Sequence, residues 1–182
     1  MSHRISILGA SGVGATTAAR SVAEALSLPL FDSDDFYHGP SDPPFNAPRP
    51  GRARHDLLVH ALALHPSWVL GGGVAGWEPR PELHLTLVVF LWLPRALRVA
   101  RLRDRERARF GDRVLPGGDM HEQHEDFVEW AASYDDGGIE GKTLARHEAY
   151  LREQRCPVLE LRGERPLEQI TAAVVRAARD RD

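Results

Sequence analysis

The run Ile5-Ser6-Ile7-Leu8-Gly9-Ala10-Ser11-Gly12-Val13-Gly14-Ala15-Thr16-Thr17 leaves this chain few folds to choose from. An apolar strand enters a glycine-rich turn and leaves it as a helix that opens on two threonines. A buried strand followed by a helix is the first half of a βαβ unit. Such units build parallel sheets with helices on both faces.

The same run satisfies the pattern G-x-x-x-x-G-K-[ST] at every position but one, where Ala15 stands in place of Lys. Its glycines let successive backbone N–H groups face one anion, and the helix start adds the positive end of its dipole. The spacing predicts phosphate binding by Gly9, Ser11, Gly12, Val13, Gly14, Ala15, Thr16 and Thr17, with the Thr16 hydroxyl placed to hold Mg²⁺. What is missing is the side chain that reaches the β- and γ-phosphates.

Beyond the loop, strands alternate with helices. Apolar runs predict strands at Arg4–Leu8, Leu30–Asp32, Trp68–Leu70, Leu85–Trp92 and Val158–Leu161. The fourth is apolar on both faces, as a central parallel strand is. Helices are expected at Thr16–Leu26, Ala53–Leu64, Pro94–Phe110, Glu122–Ser133, Thr143–Gln154 and after Pro166. Leu57, Leu58, Ala61 and Leu62 form the expected inner face of the second. Leu167, Ile170, Val174 and Ala178 share one face of the last. The proline-rich stretch 38–51 reads as a loop. No repeat or linker divides the chain, so 1–182 is expected to be one domain, with a lid roughly at 105–140.

The net charge of -3 offers no global attraction to nucleic acid or an anionic membrane. Cys156 is the only cysteine, which excludes an internal disulfide and points to a reducing compartment. Met1–Arg4 is too short and polar for a leader, and Leu85–Leu93 too short to span a bilayer as a helix. A soluble, cytoplasmic monomer or homodimer is expected. Lys142 is the only lysine, so few side chains can replace the charge that Ala15 lacks.

Open parallel sheets bind ligands at the C-terminal edge of their strands. Asp32-Ser33-Asp34-Asp35 follows the second strand at that edge. Asp34 is placed to take a proton from an attacking hydroxyl, and Asp32 to hold Mg²⁺ or substrate hydroxyls. The plain alternative is that Asp and Ser cap the next helix. Gly71-Gly72-Gly73 ends the third strand and lets a ligand approach the backbone, or is an ordinary loop.

Arg95, Arg98, Arg101, Arg103, Arg105, Arg107, Arg109 and Arg113 are interleaved with Asp104 and Glu106, and most read as solvated surface. Arg107, Arg109 and Arg113, beside Phe110-Gly111, are placed to close over phosphates as a lid. Arg52 is a candidate for holding the acceptor. Lys142 precedes a helix start, unfavourable for the dipole unless an anion binds there. With Arg109 it is the candidate to supply the charge missing at Ala15. His121-Glu122-Gln123-His124 lacks the H-E-x-x-H order and a third ligand, so it reads as solvated lid rather than a metal site. The tryptophans read as core or cleft wall, with Trp77 as a possible substrate contact.

Together these residues resemble the small P-loop kinases, with a layout similar to that of shikimate kinase. The loop Gly9–Thr17, the Asp-x-Asp at Asp32-Ser33-Asp34 and the glycine run at Gly71-Gly72-Gly73 carry the resemblance. It implies that Arg146, four residues before Tyr150, binds the acceptor's carboxylate. It also implies that Arg165-Pro166 borders adenine. The chain is similar, too, to uncharacterised bacterial proteins labelled adenylate kinase-like, whose loop reads Gly-Ala-Ser-Gly-x-Gly-x-Thr-Thr. That likeness covers Asp34–Tyr37, Asp42–Phe45 and Leu115–His124 and implies no substrate. Ala15, and a segment 111–141 longer and less basic than a shikimate kinase lid, are the departures.

The expected architecture is thus an α/β, three-layer P-loop fold with about five parallel strands. The expected activity is ATP·Mg²⁺-dependent phosphorylation of a small hydroxylated metabolite. The alternatives are a nucleotide-binding sensor or partner-binding protein without phosphotransfer, and a nucleotide kinase or P-loop hydrolase.

Overall fold

The apolar runs that lack alternation become the centre of the sheet. Strands β1 (Arg4–Gly9) and β4 (Leu87–Trp92) are covered on both faces, which is why neither needs a polar side. The structure, a computed structural model, describes residues 2–137 and 141–180. With β2 (Leu30–Asp32), β3 (Trp68–Gly71) and β5 (Val158–Arg162) the strands form one parallel sheet of order β2-β3-β1-β4-β5. The edge strands β2 and β5 contain no fully buried residue.

Register then decides what meets at the edge. Gly71 of β3 pairs with Ile7 of β1 on one side and Asp32 of β2 on the other, so three strand ends lie in one row. Gly9, two residues beyond Ile7, pairs with Leu91 of β4. The chain leaves β1 with β3 on one flank and β4 on the other. A crevice opens where strand order reverses in this way, and here the glycine loop sits in it.

Helices α1 (Ala15–Leu26) and α7 (Leu167–Arg179) cover one face, packing Ala18, Ala19, Val22, Val174 and Ala178 on Ile5, Ile7, Val69 and Val89. Leu58 and Leu62 of α3 (Gly51–Ala63) meet Trp68 and Leu70 on the opposite face. Tyr150 and Leu151 of α6 (Leu144–Arg152) meet Leu8, Val88 and Phe90 there. The short α2 (Ser33–Tyr37) follows β2 directly. Helix α4 (Arg95–Phe110), a 3-10 turn at Gly111–Val114 and α5 (His121–Ala132) make up most of the expected lid, whose residues 138–140 lie outside the described residues.

Two sequence expectations need correction. The inner face of α3 is narrower than the leucine pattern implies, because Leu57 is 48% exposed and only Leu58 and Leu62 are buried. Arg98 is not solvated: it is 0% exposed, on the same helix row as the buried Leu102 and Glu106. No helix among the described residues is long and apolar enough to cross a membrane.

Candidate active site

The floor of the glycine loop is set by two close approaches. A Cβ on Gly9 would lie 2.3 Å from the Leu91 carbonyl oxygen, and one on Gly12 (φ +82°) 2.4 Å from the Arg98 carbonyl oxygen. Gly14 (φ +94°) is different, since nothing lies within 4 Å of its virtual Cβ. The crest of the loop therefore faces open space. Gly14 also caps α1 with no side-chain hydrogen bond. The first-turn N–H groups of Ala15, Thr16 and Thr17 consequently have no partner within the helix. Val13 N–H closes its own turn to the Ala10 carbonyl at 3.2 Å, and Ser11 is half-buried beside it. An uncapped start of a 12-residue helix facing open space is suited to an anion.

Asp32 stands next to that helix start. Its carboxylate accepts the Asp34 N–H at 3.0 Å, capping α2 as the plain reading has it. Burial pushes its pKa up, and the nearby charges of Asp34 and Asp35 add to this. The Asp34 N–H and a hydrogen bond from Thr16 pull it back down. The Thr16 hydroxyl and the Asp32 carboxylate therefore meet, while Asp34 and Asp35 are exposed at the same edge.

The glycine run explains how they come together. A Cβ on Gly71 would lie 3.2 Å from Thr16 Cα, and one on Gly72 2.0 Å from Ser33 Oγ. The Gly73 N–H donates to Ser33 Oγ at 3.1 Å. Protein atoms fill the room freed at Gly71 and Gly72, bringing β3 against α1 and α2.

The candidate cations scatter more widely. Arg107 is exposed, and its carbonyl accepts the Gly111 N–H. The Arg109 guanidinium lies over Phe45 at 4.8 Å and Phe110 at 5.2 Å. Arg113 bridges Asp119 at 2.7 Å and Asp42 at 2.8 Å, and both carboxylates raise its pKa. Arg52 is 79% exposed and pairs with Asp56, whereas Arg54, which sequence reasoning passed over, lies over Tyr37 at 4.3 Å. Arg146 is exposed and donates to the Gly141 carbonyl at 3.1 Å. Lys142 approaches His147 closely enough to disfavour its protonation. Arg165 lines a shallow surface depression with Val13, Leu91, Leu93, Arg101, Gly163 and Ile170. It is thereby brought beside the glycine loop.

His121 and His124 are not the solvated residues expected. His124 is buried, and His121 Nδ1 lies 3.1 Å from the Val114 carbonyl oxygen. No group of three or more His, Cys, Asp or Glu side chains among the described residues could hold a metal ion.

A buried polar network behind the lid also escaped the sequence. Arg98 donates to the carbonyls of Leu93 and Ala131 at 3.0 Å and to the Asp135 carboxylate, which also accepts from Trp92 Nε1 at 3.2 Å. Tyr134, under the Arg98 guanidinium, pairs with His147 Nδ1 at 2.8 Å. Burial, with Lys142 adding to it, lowers the His147 pKa from 6.5 to about 3. An unfolded chain takes up that proton below pH 6.5, and the folded chain does so only near 3. The stability His147 contributes is complete above pH 6.5 and is lost as pH falls from there toward 3, by up to about 1.4 kcal/mol per pH unit. Denaturant melts at pH 7 and pH 4 should show a smaller pH difference in His147→Gln than in wild type. Equal differences would refute the assignment.

No family model matches the chain. Among solved structures the fold is similar to that of a shikimate kinase from Acinetobacter baumannii in complex with shikimate. The TM-score is 0.55 at 18% identity, over 100% of this chain and 96% of that one. It is also similar to a gluconokinase from Sinorhizobium meliloti 1021, with TM-score 0.50 at 14% identity, over 98% and 92% of the two chains. These likenesses show a shared P-loop kinase fold. At the level of sequence, the uncharacterised protein YqaC of Bacillus subtilis (strain 168) is 39% identical over 161 residues, 88% of this chain and 89% of YqaC. With that identity across nearly the whole of both chains, the protein belongs to the family of YqaC.

Proposed function

We propose that this chain is a small-molecule kinase, transferring the γ-phosphoryl group of ATP to a hydroxylated metabolite in the presence of Mg²⁺. One observation carries the reading: the open helix start at Gly14, the Thr16–Asp32 contact and the exposed Asp34 share one sheet edge. Two proteins that share the fold are a shikimate kinase and a gluconokinase, and the reading extends their reaction class to this chain.

The loop N–H groups would hold the phosphates. Arg165, next to Val13 of the loop, would border the base. Thr16 and Asp32 fit Mg²⁺ because a half-buried carboxylate beside two further carboxylates gains from a cation. When bound, that ion would neutralise charge on the β- and γ-phosphates. Asp34 would accept the acceptor's hydroxyl proton as the oxygen attacks, while Gly71–Gly73 keep Ser33 and Asp32 in register. Arg109 and Lys142 would supply charge in place of Ala15, and Arg52, Arg107 and Arg146 are the outer candidates for substrate or phosphate. Residues 1–182 would act as one domain.

A second reading, nucleotide binding without transfer, rests on Ala15 alone. Calorimetric titration with ATP, with and without Mg²⁺, tests both. Mg²⁺-dependent binding is expected, and no binding at millimolar ATP would sink both readings. Hydrolysis without acceptor would identify a hydrolase, and stimulation by a mononucleotide a nucleotide kinase. Lys142→Ala should slow turnover roughly 100-fold. A change of under about threefold would remove Lys142 from the site.

A further inference from the structure

We infer that the outer side of α3 is a dimer interface, on which a second copy of this chain lays its own α3 antiparallel across a two-fold axis. The inference is independent of the kinase reading.

Helix α3 is apolar on two sides. Leu58 and Leu62 face the sheet and are buried. Away from the sheet, Leu57 is 48% and Leu64 70% exposed, and Val59 is exposed as well. Among the described residues five large apolar side chains are exposed, and these three of them share one helix. Leucines scattered singly over a surface need no explanation, but a concentration on one element marks a contact. A helix with apolar residues all round is normally covered all round, and the sheet covers only one side of α3.

The spacing of the outer residues indicates what covers the other side. Ala53, Leu57, His60 and Leu64 are all exposed and follow one another at four, three and four residues. That is the spacing of a seam that packs on another helix. A two-fold axis midway along it sets Ala53 against the partner's Leu64, and Leu57 against the partner's His60. The smallest side chain of the seam then meets the most exposed one. Parallel pairing would set Leu64 on Leu64 and Ala53 on Ala53, crowding one end and leaving a gap at the other.

The charges favour the same arrangement. The first turn of α3 holds no acidic residue but does hold Arg52, and a cation there opposes the helix dipole. In the last turn only His60 is basic. Antiparallel packing brings the exposed Arg52 to the partner's last turn, whose final carbonyls lack helical donors. Each copy thus supplies what the other's helix end lacks. A surface complementary to itself is what a two-fold contact requires.

The test is sedimentation velocity of the whole chain from about 1 to 300 µM. A pair of 13-residue helices makes a contact at the small end of interface sizes, so a dissociation constant of roughly 1–100 µM is expected. Leu64→Lys suits its own helix end but meets the partner's Arg52, and it should weaken the dimer by about tenfold or more. Leu97→Lys, at an exposed leucine of α4, should leave it unchanged. Thermal melts confirm that the variants fold; if Leu64→Lys does not, Leu57→Gln takes its place. Orientation is read by cross-linking on a Cys156→Ser background. The double variant Ala53→Cys, Leu64→Cys should form a disulfide between copies on mild oxidation, and Ala53→Cys alone should not. A wild type that stays monomeric at about 300 µM overturns the inference and leaves the face to a different partner. So does a dimer that survives both Leu64→Lys and Leu57→Gln, or one that Ala53→Cys alone cross-links.

Discussion

Asp34→Asn should lower turnover roughly 10²- to 10⁴-fold while ATP affinity stays within about threefold. The expectation follows from where α2 holds the residue. Its backbone N–H is fixed by Asp32, its carbonyl accepts the His38 N–H at 3.0 Å, and its side chain is left exposed at the sheet edge. An amide keeps the shape and the backbone bonds but cannot accept the hydroxyl proton. Asp35→Asn, one residue on and also exposed, is the control, with an expected change below about threefold. Steady-state rates of phosphoryl transfer to an acceptor that the wild type uses decide the matter. A loss of less than tenfold in Asp34→Asn, or an equal loss in Asp35→Asn, would remove Asp34 as the base.

Arg98→Ala should cost about 3–5 kcal/mol of stability, because it takes the buried guanidinium from the partly buried Asp135 carboxylate and removes its donors from two carbonyls. For a chain of this size the melting temperature should drop by roughly 10 °C. The damage should not stop at stability. The Arg98 carbonyl is the atom against which Gly12 packs, so the first turn of α4 sets the height of the phosphate loop. The side chain of Arg98 ties that turn to Ala131 and Asp135 at the end of α5. A double-mutant cycle with Asp135→Asn isolates the pair, and the two losses should be strongly non-additive. Independent losses would mean that Arg98 acts through packing alone.

These two residues show how far the sequence can be read. Asp34 was legible because its signal is local: an apolar strand, then carboxylates at the edge where parallel sheets bind ligands. Arg98 was lost among the arginines of a helix whose composition reads as solvated surface. A finer signal was present, since Arg98, Leu102 and Glu106 stand four residues apart and occupy one buried row. The same spacing puts Arg54 in line with Leu58 and Leu62, facing inward, while Arg52 is rotated to solvent. An arginine in register with buried leucines deserves more weight than an arginine count.

The sequence by itself determined the β1–loop–α1 unit, the five strands and the last helix. Each of these depends on neighbours a few residues apart: apolar runs, positive-φ glycines at Gly12 and Gly14, and alanines that pack in a tight helix. The tertiary structure alone decided which strand ends share a row, and so that Thr16 meets Asp32, which is in the next strand of the chain. It also decided that Gly71 and Gly72 serve protein packing, and that Arg98 has a carboxylate while, among the described residues, Arg54 has none. Hydrogen-bond register and charge pairing join residues far apart in sequence. Their energies depend on which groups are desolvated together, and only the folded chain settles that.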